Sequence, residues 1–440
     1  MTTLLLRPRR RLFAILAAVL FLGGVFAVFD LRGRGALWRY LYSLTGEVDP
    51  FPQLYAYLAY LGNVTRRLPN TADEIATNYP VENPLGVNTF LELEPELAKR
   101  ERQMIMIAEA GIGWMRQKFT WQDIEIHGRG DFMDRRNDMN GDGTPDPVDA
   151  WLKYDTIVDL ANEYGVKIIA RLGTPPAWSQ PEGVKGTFAP PEDLQDYVNY
   201  AAAVITRYKG RIRHVQVWNE PNLEIEWGGQ PVSPERYTEM LCRTYQALKA
   251  IDPEIVVITG ALAPTVDISG YNLNPNIFLQ RMYDAGAKPC FDILGGQGYG
   301  LFSGPTDRRV RITTINFNYP MWLRDVMIAN GDGEKPIWIG EMAWNPVPDA
   351  ETAPDMVGRY VYGQVTDEQG AQYVVDAYQR VREEWKWTGV ICYWYFKRPD
   401  ESEKNQSWYY FRMVDPDFTP RPVYAAVKAY AEKMGYKRQP

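Results

Sequence analysis

The chain has 440 residues, 45% of them hydrophobic and 23% charged, which permits one large folded domain with appendages and argues against a disordered chain. The formal net charge of −7 argues against nucleic-acid binding, because that function requires a clustered basic surface. The 14 Trp and 28 Tyr residues supply flat apolar faces on which sugar rings can stack, so the composition is compatible with a carbohydrate cleft.

The first predicted element is an uncharged run of 18 residues, Leu12 to Phe29, which follows four arginines between positions 7 and 11. The run is long enough to cross a bilayer and longer than the apolar core of a typical signal peptide. It predicts that residues 1–30 form a membrane anchor, with the basic flank in the cytoplasm and the rest of the chain outside. The alternatives are a signal peptide cleaved near Val25–Ala27, which would give a secreted protein, and a buried helix.

Residues 31–84 are predicted to form a juxtamembrane stalk. Two short aromatic-rich segments, 37–44 and 54–61, flank a proline-rich stretch. The tyrosines of the second segment lie either against the membrane interface, where aromatic rings are favoured, or on the back of the domain that follows. The sequence leaves both possibilities open for Tyr55, Tyr57 and Tyr60.

From about residue 85 to the C-terminus, short apolar runs alternate with amphipathic segments of helical period. The predicted strands are Gly86–Leu91, Trp114–Lys118, Lys167–Leu172, His214–Trp218, Ile255–Gly260, Phe291–Gly296, Pro336–Gly340 and Gly389–Phe396. The predicted helices are Glu96–Ala110, Trp151–Tyr164, Pro191–Tyr208, Pro234–Asp252, Asn276–Ala285, Met321–Asn330, Asp367–Trp387 and Pro422–Met434. Near-continuous Val and Ile runs are typical of parallel strands covered on both faces.

This alternation predicts an α/β fold, a (β/α)8 TIM barrel over residues 85–440. A doubly wound open sheet is the main alternative. It would more often carry a glycine-rich phosphate loop after its first strand, and the sequence has none there.

Two of the predicted strands end in a glutamate. Val215–Trp218 leads into Asn219 and Glu220, and the run from Pro336 ends at Glu341. Active sites of these barrels lie at the C-terminal ends of the strands. Two carboxyl groups are the minimum apparatus for cleaving a glycosidic bond, and a separation of about 5–5.5 Å makes the second one a nucleophile and retains the anomeric configuration.

The segment Trp218-Asn219-Glu220-Pro221-Asn222 resembles the acid/base signature of the large retaining clan A of glycoside hydrolases. Within that clan the chain most resembles family 39, with family 5 cellulase-like enzymes second. The similarity covers about residues 85–435. It includes the segments 173–178 (GTPPAW), 366–370 (TDEQG) and 414–422 (VDPDFTPRP).

The resemblance implies a role for several residues. Glu220 would be the acid/base and Glu341 the nucleophile. Asn219 would bind the sugar 2-hydroxyl. Tyr299 would hold the nucleophile, and Trp394 would form the floor of the −1 subsite. Arg116 would supply positive charge beside the nucleophile.

Two positions depart from the family pattern. Gln297 stands where relatives usually have His, two residues before the tyrosine that holds the nucleophile. Gly340 stands where Thr or Ser is common, directly before the nucleophile. Neither change removes a carboxyl group that the reaction requires, but with both changes the sequence does not define the identity of the substrate.

Three tryptophans follow catalytic-face strands and are predicted to be exposed stacking platforms, namely Trp178, Trp227 and Trp344. The alternative is that they are core residues sealing loops. Three others are predicted to pack inside, namely Trp121, Trp338 and Trp385.

The three cysteines form no metal or redox spacing and are predicted to be small buried residues, Cys242, Cys290 and Cys392. Two histidines are too few for a histidine-based metal site or a serine triad. Of these, His214 opens a predicted strand and is expected to be structural.

Residues 138–149 match the spacing of a calcium-binding loop. Oxygen-bearing side chains occupy positions 1, 3, 5, 9 and 12, with Gly143 at position 6 for the sharp turn. The alternative is an acidic turn that binds nothing. The predicted ligands of a structural Ca²⁺ are Asp138, Asn140, Asp142, Asp146 and Asp149.

Together these features predict a retaining β-glycosidase that acts on β-linked glycans and needs no cofactor for catalysis. Its expected partners are a carbohydrate and, through the N-terminal helix, a membrane, but not nucleic acid. The expected location is extracytoplasmic. The alternatives are a non-catalytic carbohydrate-binding barrel and a transglycosylase, either one acting in polysaccharide export or remodelling.

Overall fold

The computed structural model describes residues 6–138, 141–184 and 188–436. The chain divides into two compact units. One consists of Met1–Leu68 with Thr306–Val310, and the other of Pro69–Pro305 with Arg311–Pro440.

The first unit begins with the helix Leu6–Arg32, whose segment Ile15–Arg32 is long and apolar enough to cross a membrane and is mostly exposed. An anchor and a signal segment both fit this helix. Helices Ala36–Thr45 and Pro50–Leu61 and a 3-10 turn, Gly62–Thr65, follow.

Within this unit, side-chain contacts hold the short helices and the returning segment in place. Gln53 is fully buried and donates to the backbone oxygen of Glu47 at 2.8 Å. Arg309 forms ion pairs with Glu47 at 2.7 Å and with Asp307 at 2.8 Å. The predicted stalk is therefore a small helical unit up to Leu68.

Residues 69–84, predicted as stalk, lie in the barrel unit. The backbone N–H of Asn70 donates to Asp325 at 2.8 Å, and the indole of Trp387 donates to Asp73 at 2.9 Å. The boundary between the two units is therefore at residue 68, not at residue 84.

The second unit is a barrel of parallel strands. In the described residues its eight strands are β1 Leu85–Thr89, β2 Trp114–Thr120, β3 Lys167–Gly173, β4 His214–Val217, β5 Val256–Ile258, β6 Leu294–Gln297, β7 Ile337–Met342 and β8 Thr388–Tyr393. The hydrogen-bonded order is β5-β4-β3-β2-β1-β8-β7-β6, all parallel. Parallel bridges from Ile258 to Ile293 and from Leu262 to Gly296 join β5 to β6. The sheet is thus closed, and the predicted (β/α)8 barrel is confirmed.

A helix follows each strand within the described part of the barrel unit. The helices are α1 Leu97–Glu109, α2 Leu152–Glu163, α3 Leu194–Arg207, α4 Pro234–Ile251, α5 Pro275–Asp284, α6 Tyr319–Ala329, α7 Asp367–Glu384 and α8 Pro422–Met434. Shorter elements are the helix Trp121–Ile124, the antiparallel pair Met133–Asp134 with Val148–Asp149, and 3-10 turns at Leu91–Leu93, Ala177–Ser179, Glu224–Glu226, Lys288–Cys290 and Ser407–Phe411.

Capping residues explain where several helices start. Proline lies in the first turn of α4, α5, α6 and α8, where its missing N–H costs no hydrogen bond. Helix α3 begins at Leu194, not at Pro191 as predicted, because the Asp193 side chain accepts from the N–H of Gln195 at 2.9 Å.

An aromatic cluster fills the end of the barrel at which the strands begin. His214 packs edge-on against Trp114, with ring centroids 4.9 Å apart, and stacks on Trp338 at 5.1 Å. Burial lowers the pKa of His214 to about 3, so the ring is neutral, and its predicted structural role is confirmed. The predicted burial of Trp121, Trp338 and Trp385 is confirmed as well.

One cysteine prediction is wrong. Cys242 on α4 and Cys290 form a disulfide, with their Cα atoms 4.7 Å apart, whereas Cys392 is free and buried. The partners are 48 residues apart in sequence and meet only because α4 lies beside the Lys288–Cys290 turn. Sequence spacing carries no signal for such a pairing.

Replacing both partners, Cys242→Ser with Cys290→Ser, is expected to lower the free energy of unfolding by about 2 to 4 kcal/mol, because the unfolded chain regains the freedom of the closed loop. Guanidinium unfolding with and without reductant measures this. Reductant should destabilise the wild-type protein and leave the double variant unchanged. Equal wild-type stability in both conditions would contradict the pairing.

Candidate active site

The two predicted acids lie at the C-terminal end of the barrel strands. Glu341 belongs to β7 and is only 5% exposed. Glu220 follows β4, after Trp218, whose backbone has φ +74°. A buried residue in this sparsely populated conformation is typical of a strand that must turn sharply at a functional site. Gln297 donates to Glu220 Oε1 at 2.8 Å and is the register partner of Glu341 on the neighbouring strand, so the two carboxyl groups lie in one site.

The loop after Glu220 is held by the last residue of its motif. Asn222 is fully buried; its amide donates to the backbone oxygens of Ala263 at 2.9 Å and Leu273 at 3.0 Å and accepts from the N–H of Ala263 at 2.9 Å. Pro221 lies against Gly260, where an added Cβ would come within 2.7 Å of the proline ring. These contacts fix the direction in which Glu220 leaves the strand.

Glu341 is held through both carboxylate oxygens. Arg116 donates to Oε1 at 2.8 Å, and the Tyr299 hydroxyl donates to Oε2 at 2.8 Å. Burial and the nearby Glu341 raise the pKa of Tyr299 well above its usual value, so the phenol stays protonated and remains a donor. The guanidinium stabilises the negative charge on Glu341, and the structure places both predicted partners on this carboxylate.

Arg116 lies on β2 and is 2% exposed, with every nitrogen of its guanidinium engaged. Besides Glu341 it donates to Gln216 at 2.6 Å, to Asn88 at 2.8 Å and to Asn219 at 2.7 Å. It thereby links strands β1, β2, β4 and β7 and the segment after β4. Asn88 was not predicted as a site residue. The only indication of it in the sequence is that a polar side chain interrupts the apolar run of β1.

Glu220 has a different environment from Glu341. Burial, followed by repulsion from Glu341 and Glu226, raises the pKa of Glu220 to about 8. Its Oε1 accepts a hydrogen bond from Gln297 Nε2 at 2.8 Å. A carboxyl group with such a pKa is protonated at neutral pH, as a proton donor to a leaving group must be.

Because the Gln297 hydrogen bond favours the ionised form of Glu220, its removal should raise the Glu220 pKa further. A glycosidase that uses Glu220 as its acid loses kcat/KM above that pKa, tenfold per pH unit. Gln297→Leu, which keeps the volume and removes the donor, is therefore expected to move the alkaline limb to higher pH. A pH–rate profile measures the shift, and a limb moving to lower pH would contradict it.

Asn219 connects the site to a third acid. Its Oδ1 accepts from Arg116, and its Nδ2 donates to Glu226 Oε1 at 2.7 Å, which fixes the amide orientation and leaves one N–H for a ligand. Burial raises the pKa of Glu226. Glu226 was not predicted, and its only signal was a further acid six residues after Glu220.

The predicted tryptophan platforms separate into two groups. Trp227 and Trp344 are 2% and 1% exposed, so the prediction that they are exposed platforms is wrong. Trp344 packs against Gly300 and donates to the backbone oxygen of Ser303 at 2.7 Å, and Trp227 packs edge-on against Trp218. They are core residues that seal loops.

The other two aromatic candidates reach the surface. Trp394, at the end of β8, is partly exposed and packs edge-on against Phe90 at 5.4 Å. Trp178 is partly exposed, and its indole donates to the backbone oxygen of Glu125 at 2.9 Å. Their roles as subsite floor and platform stay predictions.

In the predicted calcium loop, Asn140 lies outside the described residues. Asp138 accepts from the N–H groups of Gly141 at 2.7 Å and Gly143 at 2.8 Å, and Asp149 accepts from that of Trp151 at 2.9 Å. Among the described residues, no three His, Cys, Asp or Glu side chains gather closely enough to hold a metal. These contacts fit an acidic turn, and calcium binding stays a prediction.

The fold and the site together define a parallel (β/α)8 barrel with one carboxyl group after β4 and a second on β7. No protein-family model and no curated protein matches this chain. Solved structures of the same fold do match.

A family 39 glycoside hydrolase from the gut symbiont Bacteroides cellulosilyticus WH2 is 17% identical over 81% of this chain, with a TM-score of 0.56. A monomeric β-xylosidase from Caulobacter crescentus CB15 is 19% identical over 82%, with a TM-score of 0.54. A glucosidase from Croceicoccus marinus is 13% identical over 82%, with a TM-score of 0.56.

The matched region spans 65%, 68% and 69% of those three chains, respectively. At such identities the likeness establishes the fold, which is the fold that the resemblance implied.

Proposed function

We propose that this chain is a retaining β-glycosidase with Glu341 as nucleophile and Glu220 as acid/base. The observation that supports the proposal most strongly is the contrast between the two acids. Glu341 accepts hydrogen bonds from Arg116 and Tyr299, whereas burial raises the pKa of Glu220 to about 8. One carboxyl group is thus arranged to carry charge and the other to carry a proton, which is the division of roles that double displacement requires.

In the first step, a Glu341 oxygen attacks the anomeric carbon as the glycosidic C–O bond breaks. Glu220 gives its proton to the departing oxygen. In the second step, water attacks the anomeric carbon, Glu220 takes a proton from that water, and the bond to Glu341 breaks. The configuration is inverted twice and therefore retained. The free N–H of Asn219 would bind the sugar 2-hydroxyl.

Solved structures of the same fold include a β-xylosidase, a glucosidase and an exo-β-1,4-mannosidase, which supports a proposal of the substrate class. We propose β-linked sugars as substrates. Aryl β-glycosides, soluble β-glucans, xylans and mannans should be screened with the full chain, and NMR should establish the anomeric form of the first product. A first product of inverted configuration would overturn the mechanism. Binding to these glycans without any turnover would favour the non-catalytic barrel, and transfer to added sugar acceptors would favour the transglycosylase.

The proposed location is outside the cytoplasm, with the helix Leu6–Arg32 as anchor or signal. Its arginines precede the apolar segment, and the Cys242–Cys290 disulfide fits an oxidising compartment. Protease treatment of intact cells tests the location. Digestion of the barrel unit supports it, and protection of the barrel unit until the cells are lysed would contradict it.

We also propose that residues 138–149 bind a structural Ca²⁺, since four acids and a glycine have the spacing of a calcium-binding loop. Calcium titration of the chelator-treated protein should raise its melting temperature, and Asp138→Ala with Asp142→Ala should abolish the rise. A wild-type melting temperature independent of calcium would reduce the segment to an acidic turn. Catalysis by two carboxyl groups requires no metal.

A further inference from the structure

Two cations stand at the mouth of the barrel, next to the proposed catalytic residues. We propose that Lys118 and Arg171 form a subsite for an anionic substituent, a carboxylate or a sulfate ester, on the sugar bound beside Asn219. This inference rests on the proposed glycosidase function. It adds that the preferred substrates carry a negatively charged substituent.

The strands place both side chains on the inner face of the barrel. Lys118 follows Arg116 by two residues on β2 and therefore points the same way. On β3, Arg171 follows Ile169, a member of the inner core cluster, by two residues. Lys118 and Arg171 are direct partners in the register of β2 and β3. Their side chains lie one layer closer than Arg116 to the C-terminal ends of the strands.

Both residues are partly exposed and line one cleft. Asn219 and Glu226 lie on the same cleft, and Phe188 also lines it. The space enclosed between these side chains is small, about 10 Å³, so an anionic substituent would bind at its open edge, where both cationic side chains are partly exposed. A group bound there would contact Asn219, the residue placed to recognise the sugar, and both cations at once.

Neither cationic side chain has a hydrogen bond or an ion pair to another residue in the described parts of the chain, in contrast to Arg116. Like charges directly opposite each other on neighbouring strands repel. Burial lowers the pKa of both groups, and Arg171 lowers that of Lys118 further. An anion between the two cationic groups would relieve this repulsion.

Two carboxylates act electrostatically on both cations, and each accepts a hydrogen bond from another group. Glu226 accepts from Asn219 at 2.7 Å, and Glu92 accepts from Gln117 at 2.6 Å. They balance the charge of the region but leave the ammonium and guanidinium hydrogens free. A guanidinium donates two parallel hydrogen bonds to a carboxylate or sulfate, and an ammonium adds a point charge.

The test compares matched substrates: an aryl β-glucoside, the corresponding β-glucuronide, and β-glucosides sulfated at O2, O3 or O6. A preference for the glucuronide would indicate a subsite for a carboxylate, and a preference for a sulfated glucoside would indicate a subsite for a sulfate ester. We expect the wild-type protein to prefer at least one anionic substrate by more than about tenfold in kcat/KM. Added salt should raise KM for that substrate and leave KM for the neutral glucoside unchanged.

Variants then assign the preference to the two cations. Lys118→Met and Arg171→Met should each lose about 10- to 100-fold in kcat/KM on the anionic substrate and less than about threefold on the neutral one. Arg171→Lys should keep part of the preference. Lys167→Met, at the opposite end of β3, serves as the matched control and should keep it entirely.

Equal turnover of neutral and anionic substrates by the wild-type protein, or equal losses on both in the variants, would overturn the subsite. If wild-type protein hydrolyses no substrate, the proposed function fails, and calorimetric binding decides the subsite. Tighter binding of glucuronate or glucose sulfate than of glucose, lost in Arg171→Met, would still support it. Equal binding of all three sugars would refute it.

Discussion

Glu341→Ala is expected to lower kcat by about 10⁴-fold or more, equivalent to about 5.5 kcal/mol of transition-state stabilisation, on every β-glycoside that the wild-type protein cleaves. The reason is that no other described carboxylate lies between Arg116 and Tyr299 to attack the anomeric carbon. Stopped assays with an aryl glycoside measure the loss. Glu432→Ala, an exposed acid on α8, is the control and should keep full activity.

Azide should restore turnover of the Glu341→Ala variant, because a small anion can enter the position that the carboxylate left. It attacks from that face in a single displacement, so the glycosyl azide has the configuration opposite to that of the substrate. NMR of the product determines this configuration. A rescued product of retained configuration would assign the nucleophile role to another residue.

Glu220→Gln is expected to slow cleavage by about 10²- to 10⁴-fold when the leaving group is a sugar, since such a group needs a proton as it departs. Substrates with an acidic phenol as leaving group should lose far less, because they depart without protonation. The fall in kcat/KM above pH 8 should also disappear, since the group that titrates there has been removed. Rates across a series of aryl leaving groups, each at several pH values, measure both effects.

Two results would contradict this acid/base role. The first is a loss that is the same for good and poor leaving groups. The second is an alkaline limb that remains near pH 8 in the variant. For Glu220→Ala, azide should yield a product of retained configuration, opposite to the result for Glu341→Ala, so the two acids are distinguished by one assay.

The sequence predicted the barrel well because its strands and helices carry local signals. Apolar runs, prolines at helix starts and side-chain caps all act over a few residues, as at α3 and α4. The proposal of the catalytic pair also depends on local signals, since Glu220 comes shortly after the buried strand β4 and Glu341 lies near the C-terminal end of β7, and parallel strands bring these ends to one edge. The contacts of Arg116 and Tyr299 with Glu341 were implied by the family resemblance and are present in the structure.

What the sequence could not provide depends on distant packing. Trp227 and Trp344 follow catalytic-face strands, as a platform would, but the loops above them fold back and bury them. The disulfide partners meet only once α4 has docked. The cations of β2 and β3 become neighbours only through the register of the two strands, which a pattern of apolar residues does not fix to the residue.

The absent side chain at Gly340 leaves room for Gln297. A Cβ there would lie 3.0 Å from the Ala261 methyl group and 3.2 Å from the Gln297 amide oxygen. Threonine or serine at this position would therefore require the Ala261 methyl group and the Gln297 amide to shift by a few tenths of an ångström. The two positions are therefore sterically coupled, and the effect of a side chain at position 340 depends on which residue occupies position 297.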